Sequence, residues 1–451
     1  MMVDIANLAE RTVKFVTKLG ASHCDAVVSD SRHIVAEIER SSIKQSSTIE
    51  DSGVGIRAFV KGCSGFAYTT GHDFASIRRA ASLAVSQATA GTPDTDFKDL
   101  PGVEKSTKVD GLFEKRLVDI EPSEVVGMAM ELADVAGNHK KITSVNVGVA
   151  TGWGDVALAN SHGISLTQKL TAMEMSVETV AGSGAGMHSA TDVGSGRRIE
   201  SGMVDRVGKS ALEHAIRGLR RTKIPTGDYP VVIDPLAAGY ILMAAVGVGA
   251  NAESVQRKRS YLAGSLGRLI GSPLLTIADD PTIPWATGST SFDGEGVPAK
   301  RMTLVENGKL KSLLHDSYTA GKDSIKSTGN SSRGGSLWSF RHPPTISSSN
   351  IVVKKGQHTL DEMIAETRKG VLLRLTFDHP NLATGELSAL IMEGYAIRDG
   401  EMGPSVRQST MGISLFDMFS RIDMVGKTTR TAYGVKAPAL RISSARIGGS
   451  G

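Results

Sequence analysis

The sequence is poor in cysteine, and this limits the environments in which the protein is expected to work. Only Cys24 and Cys63 occur among the 451 residues. Secreted folds that depend on disulfides carry many more cysteines, so a disulfide framework is excluded, although one bridge between these two residues stays open. The first 15 residues also lack the continuous apolar core of a signal peptide. Together these features predict a protein of the reducing cytoplasm.

The chain also has little excess of charge of one sign. Lysine and arginine number 51 against 47 aspartates and glutamates, which leaves a net charge of +4 that is spread along the chain. Proteins that bind nucleic acid usually cluster their basic side chains on one surface. The densest basic run, Arg217–Lys223, is expected to end a helix, where cations suit the negative end of the helix dipole. Direct contact with nucleic acid is therefore not expected.

Long hydrophobic runs are absent except for one. Leu236–Ala252 contains 17 residues without a charge, but it is rich in alanine and includes three glycines. A membrane-spanning helix needs about 20 mostly large apolar residues. The β-rich run Tyr229–Ile233 comes just before it, and Asp234 and Pro235 provide a capping carboxylate and a first-turn proline. This stretch therefore predicts a strand that leads into a buried helix of a soluble protein, with no membrane contact.

Length and composition predict a multidomain α+β protein. A chain of 451 residues exceeds one ordinary hydrophobic core, and 50 glycines against 15 prolines favour many turns and strands over disorder. The polar stretch Thr222–Asp228 is the expected boundary between two domains. We predict an N-terminal α/β domain over residues 1–222, divisible into 1–100 and 115–222. A C-terminal β-rich, barrel-like domain over 223–451 would surround the buried helix.

Periodicity and turn signals place the main elements. Asp51–Gly53 is predicted as a turn, Lys61-Gly62 as a tight hairpin, and Asn307-Gly308 as a type I′ turn between two strands. Pairing of the late strands with earlier ones would make a closed or barrel-like sheet. Helices are predicted from the 3.6-residue spacing of apolar side chains over Asp4–Leu19, Asp73–Ala90, Pro122–Gly137, Ile199–Leu219 and Thr359–Thr367.

Residues with the capacity for chemistry do not form a familiar site. The histidines, among them His162, stand alone without helical ligand spacing, and His23 and Cys24 are adjacent residues whose side chains diverge on a strand. The acidic pairs Asp279/Asp280 and Asp293/Glu295 are expected to cap turns and pair with arginine, with cation binding or acid–base work as the alternative.

Two further patterns are weak signals of a functional site, because each lacks the neighbouring secondary structure that its motif requires. Gly53-Val-Gly55 lacks the helix that a phosphate-binding loop needs. The serine and glycine cluster Ser331–Ser336 lacks the strand–turn–helix context of a nucleophilic serine. Its Arg333 is expected in a surface loop, with anion or peptide-carboxylate binding as the alternative.

The segment Ile241–Gly249, ILMAAVGVG, resembles the central helix of the TldD/PmbA family. Metal-binding members carry His-Glu-x-x-x-His there, in a run such as LLHEAVGHG. The first histidine falls on Met243, the glutamate on Ala244 and the second histidine on Val248, while the Ala-Val-Gly interior matches. The resemblance extends over about residues 25–445 through further motifs: Gly53–Thr69, Ala278–Asp280, Phe292–Gly296, Val305–Leu310, Ser327–Asn330 and Asn381–Ser388.

This resemblance implies the PmbA/TldE branch of the family, in which the metal ligands and general base are missing. Metal-binding members also carry a cysteine ligand in a segment like GTCG, whereas Thr428–Gly434 has none. No metal or other cofactor is expected in this chain, no catalytic residue is assigned, and zinc is expected in a TldD-type partner. The implied function is that of a subunit of a heterodimeric metallopeptidase acting on unfolded peptides or peptide precursors, with a homodimer open for the lone chain.

Two other functions stay open. One is a stand-alone hydrolase with an unrecognised site, for which Asp293 and Glu295 are the candidates. The other is a DNA-gyrase or nucleic-acid-associated modulator, which the family's historical description suggests. The dispersed positive charge disfavours the second.

Overall fold

The computed structural model describes residues 4–335, 337–406 and 408–449, and it describes Ala185 by its backbone alone. Two large β-sheets dominate it, one built from each half of the chain, with helices packed on both. The first half contains, in order, α1 Ile5–Lys18, β1 His23–Glu39, β2 Ser42–Val60, β3 Cys63–Thr70, α2 Phe74–Ala90, α3 Lys115–Val118, α4 Pro122–Gly137, β4 Ile142–Asn160, β5 Ser165–Ala181, β6 His188–Gly196 and α5 Met203–Arg217.

The first sheet is a six-stranded antiparallel sheet with the order β3-β2-β1-β4-β5-β6. Alternate residues of each strand point to one face, so a single strand can serve two cores. On one face Ala26 of β1 packs with α1 and α2, while Ile34, eight residues on, packs with α4 and α5. On the opposite face Val27 of β1 packs against Phe292 and Phe340 from the second half of the chain.

The helices begin where capping chemistry predicts. The carboxylate of Asp4 accepts a hydrogen bond from Asn7 N at 3.1 Å, and Asp73 accepts one from Ser76 N at 2.8 Å. Pro122 opens α4 behind a capping box. These starts confirm the predicted helices, except that α5 begins at Met203, later than the predicted Ile199, because Gly202 enters the helix with φ of 77°.

The second half holds the remaining elements, which include a short π-helical turn at Met243–Val248. They are β7 Arg221–Thr222, β8 Gly227–Ile233, α6 Pro235–Leu242, α7 Ala252–Gln256, β9 Ile277–Asp279, β10 Met302–Glu306, β11 Lys309–Leu310, α8 Ser317–Lys322, β12 Ser331–Ser332, β13 Thr345–Ile346, β14 Ile351–Val353, α9 Leu360–Ala365, β15 Lys369–Leu375, β16 Glu386–Leu390, β17 Glu393–Arg398, β18 Glu401–Val406, β19 Thr410–Ser414, α10 Leu415–Ser420, β20 Ile422–Ala432 and β21 Val435–Gly448.

The second sheet has 13 strands and is organised around β21, which pairs with β8, β14, β19 and β20. The predicted pairing of late with early strands is confirmed, as is the mixed α/β class. Among the described residues the strand order has free ends at β11 and β7, so the sheet is open and the expectation of closure into a barrel was wrong. Parallel pairing of β8 with β15 and of β14 with β21 needs long connections, and these interrupt the sequential strand order.

The predicted buried helix is present but shorter than the apolar run. Leu236–Ala252 divides into α6, the π-helical turn and the start of α7, and its Ala237, Ile241 and Ala245 lie in the core of the second half. No helix in the described part of the chain is both long enough and apolar enough to cross a membrane.

The predicted turn at Asp51–Gly53 was wrong, because these residues lie inside the 19-residue strand β2. A Cβ atom at Gly53 would overlap the ring of Phe340, and one at Gly55 would overlap its carbonyl oxygen. The glycines therefore permit a close approach of the second half to the first sheet. The hairpins at Lys61-Gly62 and Asn307-Gly308 are confirmed, and both Asn307 and Gly308 have the positive φ of a type I′ turn.

Candidate functional site

The site to which the sequence points begins at the end of β8. The carboxylate of Asp234 accepts a hydrogen bond from Leu236 N at 2.8 Å, and Pro235 occupies the first turn of α6. This capping fixes the start of α6 directly after Val231–Ile233, the buried end of β8. The predicted strand-to-helix start is therefore confirmed.

The π-helical turn decides which side chains share a face. Gly249 N donates to Ala244 O at 3.1 Å, the five-residue hydrogen bond that defines such a turn. Five residues of ordinary α-helix would place two side chains about 140° apart. Five residues of the π turn make about one full turn, which brings Met243 and Val248 to the same side. Ala244 is buried, whereas Val248 is 45% exposed.

Met243 lies against two segments from distant parts of the sequence. Ser348 Oγ lies 3.7 Å from Met243 Sδ. A Cβ atom at Gly434 would lie 2.7 Å from Met243 Cε. The structure thus brings together Met243 and Thr428–Gly434, the two places where the family resemblance locates metal ligands.

An aromatic group next to this site was not predicted. Tyr240, one turn before Met243, stacks on the His379 ring at 4.6 Å, and its hydroxyl lies 2.9 Å from His379 Nε2. Tyr433 meets Tyr240 edge to face at 5.1 Å. Tyr240 and His379 are 139 residues apart, so no local sequence signal connects them.

Beside Met243, a cleft separates the first sheet from the loops of the second half. Three cavities of 280, 530 and 390 Å³ adjoin there, and Thr287 lines all of them. Glu174 and Ser195 line the cleft from the first sheet, while Ser348 and Gly434 line it next to Met243. Hydroxyl groups predominate in the smallest cavity, which includes Ser289, Thr290, Ser331, Ser332, Ser347, Ser348 and Ser349.

A buried charge network joins the two sheets behind this cleft. Arg374 forms ion pairs with Glu393 and with Asp192, the latter at 3.0 Å, and Arg430 also pairs with Asp192. Burial raises the pKa of Glu393 to about 7, although the charge of Arg374 opposes the rise. Burial and the charge of Arg374 lower the pKa of nearby His214 to about 2. The network fixes Arg430 at the cleft wall.

The two acidic pairs cap turns, as expected. Asp293 accepts hydrogen bonds from Glu295 N, Val297 N and Ser331 N at 2.9 to 3.0 Å. Glu295 pairs with Arg57 at 2.8 Å and accepts from Ser317 N at 2.9 Å. Burial and the charge of Glu295 raise the pKa of Asp293 to about 7.

Asp279 and Asp280 bind loops in the same way. The carboxylate of Asp279 accepts hydrogen bonds from Ser349 and Asn330, and burial raises its pKa to about 6. Asp280 accepts from Thr282 N at 2.9 Å and lies 3.4 Å from Arg301. With their oxygens engaged by the protein itself, these four acidic residues stabilise loops.

The expectation of a surface-loop arginine was wrong. Arg333 is fully buried and pairs with Asp25 of β1 at 2.6 Å, while its Nε donates to Gly294 O at 2.8 Å. Arg333 is buried because its loop packs on the first sheet through the neighbouring side chains of Leu337, Trp338 and Phe340. Ser336 of the same cluster lies outside the described residues.

Histidines that stand alone in the sequence meet in space. His23 Nε2 lies 3.3 Å and His162 Nε2 lies 2.6 Å from the same oxygen, Oδ1 of Asp99. Among the described residues this is the one group of three histidine, cysteine or acidic side chains close enough to share a metal ion. Sequence reasoning missed it because the three residues come from segments more than 60 positions apart.

Comparison with known families covers nearly the whole chain. Three family models match in order: PmbA/TldA metallopeptidase domain 1 over residues 24–88, the central domain over 115–219 and the C-terminal domain over 226–449. A metalloprotease of Methanothermobacter thermautotrophicus is 28% identical over 417 residues, which cover 88% of this chain and 89% of that protein. A metalloprotease TldD homolog of Haemophilus influenzae is 26% identical over 443 residues, covering 92% and 90%.

A solved structure has the same fold. TldE from Thermococcus kodakarensis superposes with a TM-score of 0.88 at 22% identity, and the match covers 97% of this chain and 99% of that one.

Proposed function

The chain belongs to the PmbA/TldD family, and on that premise we propose that it is the non-metal-binding, TldE-like subunit of a TldD/TldE-type heteromeric metallopeptidase. The peptidase would act on unfolded peptides or peptide precursors. In this proposal the TldD-type partner holds the zinc ion. The present chain completes and shapes the cavity that accepts the peptide.

One observation carries the proposal: the turn at which the family resemblance locates the metal ligands is a π-helical turn with apolar side chains. A His-x-x-x-x-His spacing suits a metal only where a π turn brings both histidines to one side, and this chain has that turn at Met243–Val248. A hydrolytic zinc site needs three ligands of nitrogen, oxygen or sulfur and a general base. Met243, Ala244 and Val248 supply no imidazole, carboxylate or thiolate ligand and no general base.

The cleft suits a role in holding a peptide. Its hydroxyl groups and the charged Glu174 and Arg430 can hydrogen-bond the backbone and termini of an extended chain. Such a wall needs no metal of its own. It excludes water and positions the substrate for groups that the partner supplies.

Exposed apolar side chains support a partner. Phe377, Leu390 and Met392 are 42 to 47% exposed. The segments that carry them adjoin, because Leu390 N donates to Asp378 and Met392 N donates to Leu375 O. Apolar side chains exposed on adjoining segments are the kind of surface that a protein partner can cover.

Metal content and peptidase activity of the chain, alone and co-purified with a TldD-type protein, test the proposal. Because His162 belongs to the separate histidine group, both measurements are repeated on a His162→Gln variant. We expect the lone variant to hold no zinc and to cleave no unfolded peptide. The complex is expected to hold zinc and to cleave unfolded peptides. Chelator-sensitive cleavage by the lone chain would overturn the proposal.

The stand-alone hydrolase is a less favoured alternative. Its candidates, Asp293 and Glu295, are buried and hydrogen-bonded to backbone amides or paired with Arg57. Substitution by alanine would discriminate if the lone chain had any activity.

A further inference from the structure

We propose that His23, Asp99 and His162 form a metal site that binds one divalent transition-metal ion. It lies in the first half of the chain, away from Met243, and it does not depend on the proposed subunit role. The sequence predicted no metal in this chain. This cluster contains none of the positions at which the family resemblance locates metal ligands.

The three ligands come from different segments and converge on one point. His23 begins β1, His162 lies in the turn between β4 and β5, and Asp99 belongs to the connector that follows α2. One ligand atom from each lies within 4.8 Å of the other two. Zinc held by histidine nitrogen and carboxylate oxygen at about 2.0–2.1 Å in a tetrahedron places neighbouring ligands about 3.3 Å apart. The 3.3 Å between His23 and Asp99 has this value.

The hydrogen-bond chain behind His23 orients its ring for a metal. Ser22 Oγ donates its proton to Phe59 O at 3.0 Å, so at 3.2 Å it can only accept from His23 Nδ1. In a neutral imidazole this leaves the lone pair on Nε2, which faces the carboxylate of Asp99. Two lone pairs that face each other repel, and a metal cation between them removes this repulsion. A polar partner on the far ring nitrogen is also the usual support of a metal-bound histidine.

The connector is already positioned for this role. The Phe97 ring stacks on Phe59 at 4.1 Å and meets the His23 ring at 5.6 Å. Asn160 Nδ2 donates to Pro101 O at 2.8 Å, which ties the far side of the connector to the β4–β5 turn. The short contact between His162 and Asp99, 2.6 Å, has to lengthen when a metal binds, and the side chain of Asp99 is 55% exposed.

Two histidines and one carboxylate suit Zn²⁺, Co²⁺ or Ni²⁺. Three protein ligands leave the remaining coordination position to water. The expected effect is structural, because a bound ion would cross-link the connector to two strand ends of the first sheet.

Equilibrium dialysis of the full-length chain against Zn²⁺, followed by metal analysis, tests the site. We expect one ion per chain. His162→Gln and Asp99→Asn are expected to weaken binding at least about tenfold, since even the loss of a supporting group beyond the ligands costs about 10–100-fold. Asn at position 99 keeps the oxygen that accepts from Leu100 N, so the connector retains its local turn. His342→Gln, which changes an exposed histidine elsewhere, is the matched control.

Co²⁺ provides a second readout. Its visible absorption reports tetrahedral histidine and carboxylate ligation, and it should disappear in His162→Gln but persist in His342→Gln. No binding by the wild-type chain, or binding unchanged in both ligand variants, would overturn the proposal. Failure of the subunit proposal would give a different result: the lone His162→Gln chain would still hold zinc and still cleave peptides.

Discussion

Arg333 and Asp25, 308 residues apart in sequence, form a 2.6 Å ion pair that is sealed inside the junction of the two halves. Arg57 binds the other oxygen of Asp25 at 2.7 Å and continues to Glu295. Burial disfavours the ionised carboxylate, but the charges of Arg57 and Arg333 outweigh it and hold the pKa of Asp25 below its usual range. The junction is therefore specified by charge as well as by apolar packing.

Removal of one partner from this network should destabilise the protein strongly. Arg333→Met keeps most of the side-chain volume but leaves Asp25 with one cation in a buried site. A broken buried ion pair costs about 3–5 kcal/mol. Arg446→Met removes an ion pair whose members are both exposed, and it should cost less than about 1 kcal/mol. Denaturant unfolding measures the free energy of unfolding of both variants. Equal losses in Arg333→Met and Arg446→Met would contradict a stabilising role for the buried network.

The close approach at Gly55 gives a second prediction. A methyl group there would overlap the carbonyl oxygen of Phe340, so Gly55→Ala must displace the segment around Phe340 from the first sheet. We expect a loss of about 1–3 kcal/mol, the usual effect of overpacking. Gly412→Ala is the control, because nothing lies within 4 Å of its added Cβ atom in strand β19. A control as destabilised as Gly55→Ala would indicate a general effect of alanine.

The low pKa of His214 predicts a pH dependence of stability. In the unfolded chain histidine takes up a proton as the pH falls below about 6.5. The folded state does not until about pH 2, because burial and Arg374 disfavour the charge. The unfolded state thus binds more protons in this window, and His214 makes the free energy of unfolding fall as the pH falls.

His214→Gln removes this proton uptake, and glutamine can still hydrogen-bond the hydroxyl of Tyr395, which lies 2.8 Å from His214 Nδ1. Between about pH 6 and about pH 4 the variant should lose about 1.4 kcal/mol less stability per pH unit than the wild type. The raised pKa of Glu393 acts in the opposite direction, but it is present in both proteins and cancels in the comparison. If the free energies of unfolding of the wild type and His214→Gln changed in parallel between about pH 6 and about pH 4, His214 would not be the source of the pH dependence.

Histidines placed on the π-helical turn should bind a metal ion. Met243→His with Val248→His puts two imidazoles on one side of the turn, so we expect the double variant to bind Zn²⁺ at least about tenfold more tightly than either single variant. A His162→Gln background removes the other cluster from the measurement. Equal affinity of single and double variants would mean that the two positions do not converge.

Local chemistry made much of the fold predictable. The caps at Asp4, Asp73 and Thr359 and the Asn307-Gly308 turn act within a few residues, so the sequence displays them directly. Asp51–Gly53 has the composition of a turn, yet it lies in a strand, where Gly53 leaves room for the ring of Phe340. That contact comes from almost 300 residues away and leaves no local signal.

The same distinction separates the two candidate sites. Met243, Ala244 and Val248 could be singled out because a motif with short spacing runs through them, although only the structure displays the π turn on which they lie. His23, Asp99 and His162 have no such spacing. They meet because β1 and β4 are neighbours in the sheet, a pairing that joins Asp25 to Asn160.

Strand β21 has a consequence for the way the chain folds. In the first sheet most neighbouring strands are joined by short hairpins, so those pairs can form from local chain segments. In the second sheet Leu440 of β21 pairs with Ile233 of β8, a loop closure of more than 200 residues. Non-local pairing of this kind slows folding because its entropy cost precedes the contacts that offset it. During synthesis on the ribosome, β8 and the apolar α6 must therefore wait for β21 while the first sheet is already assembled.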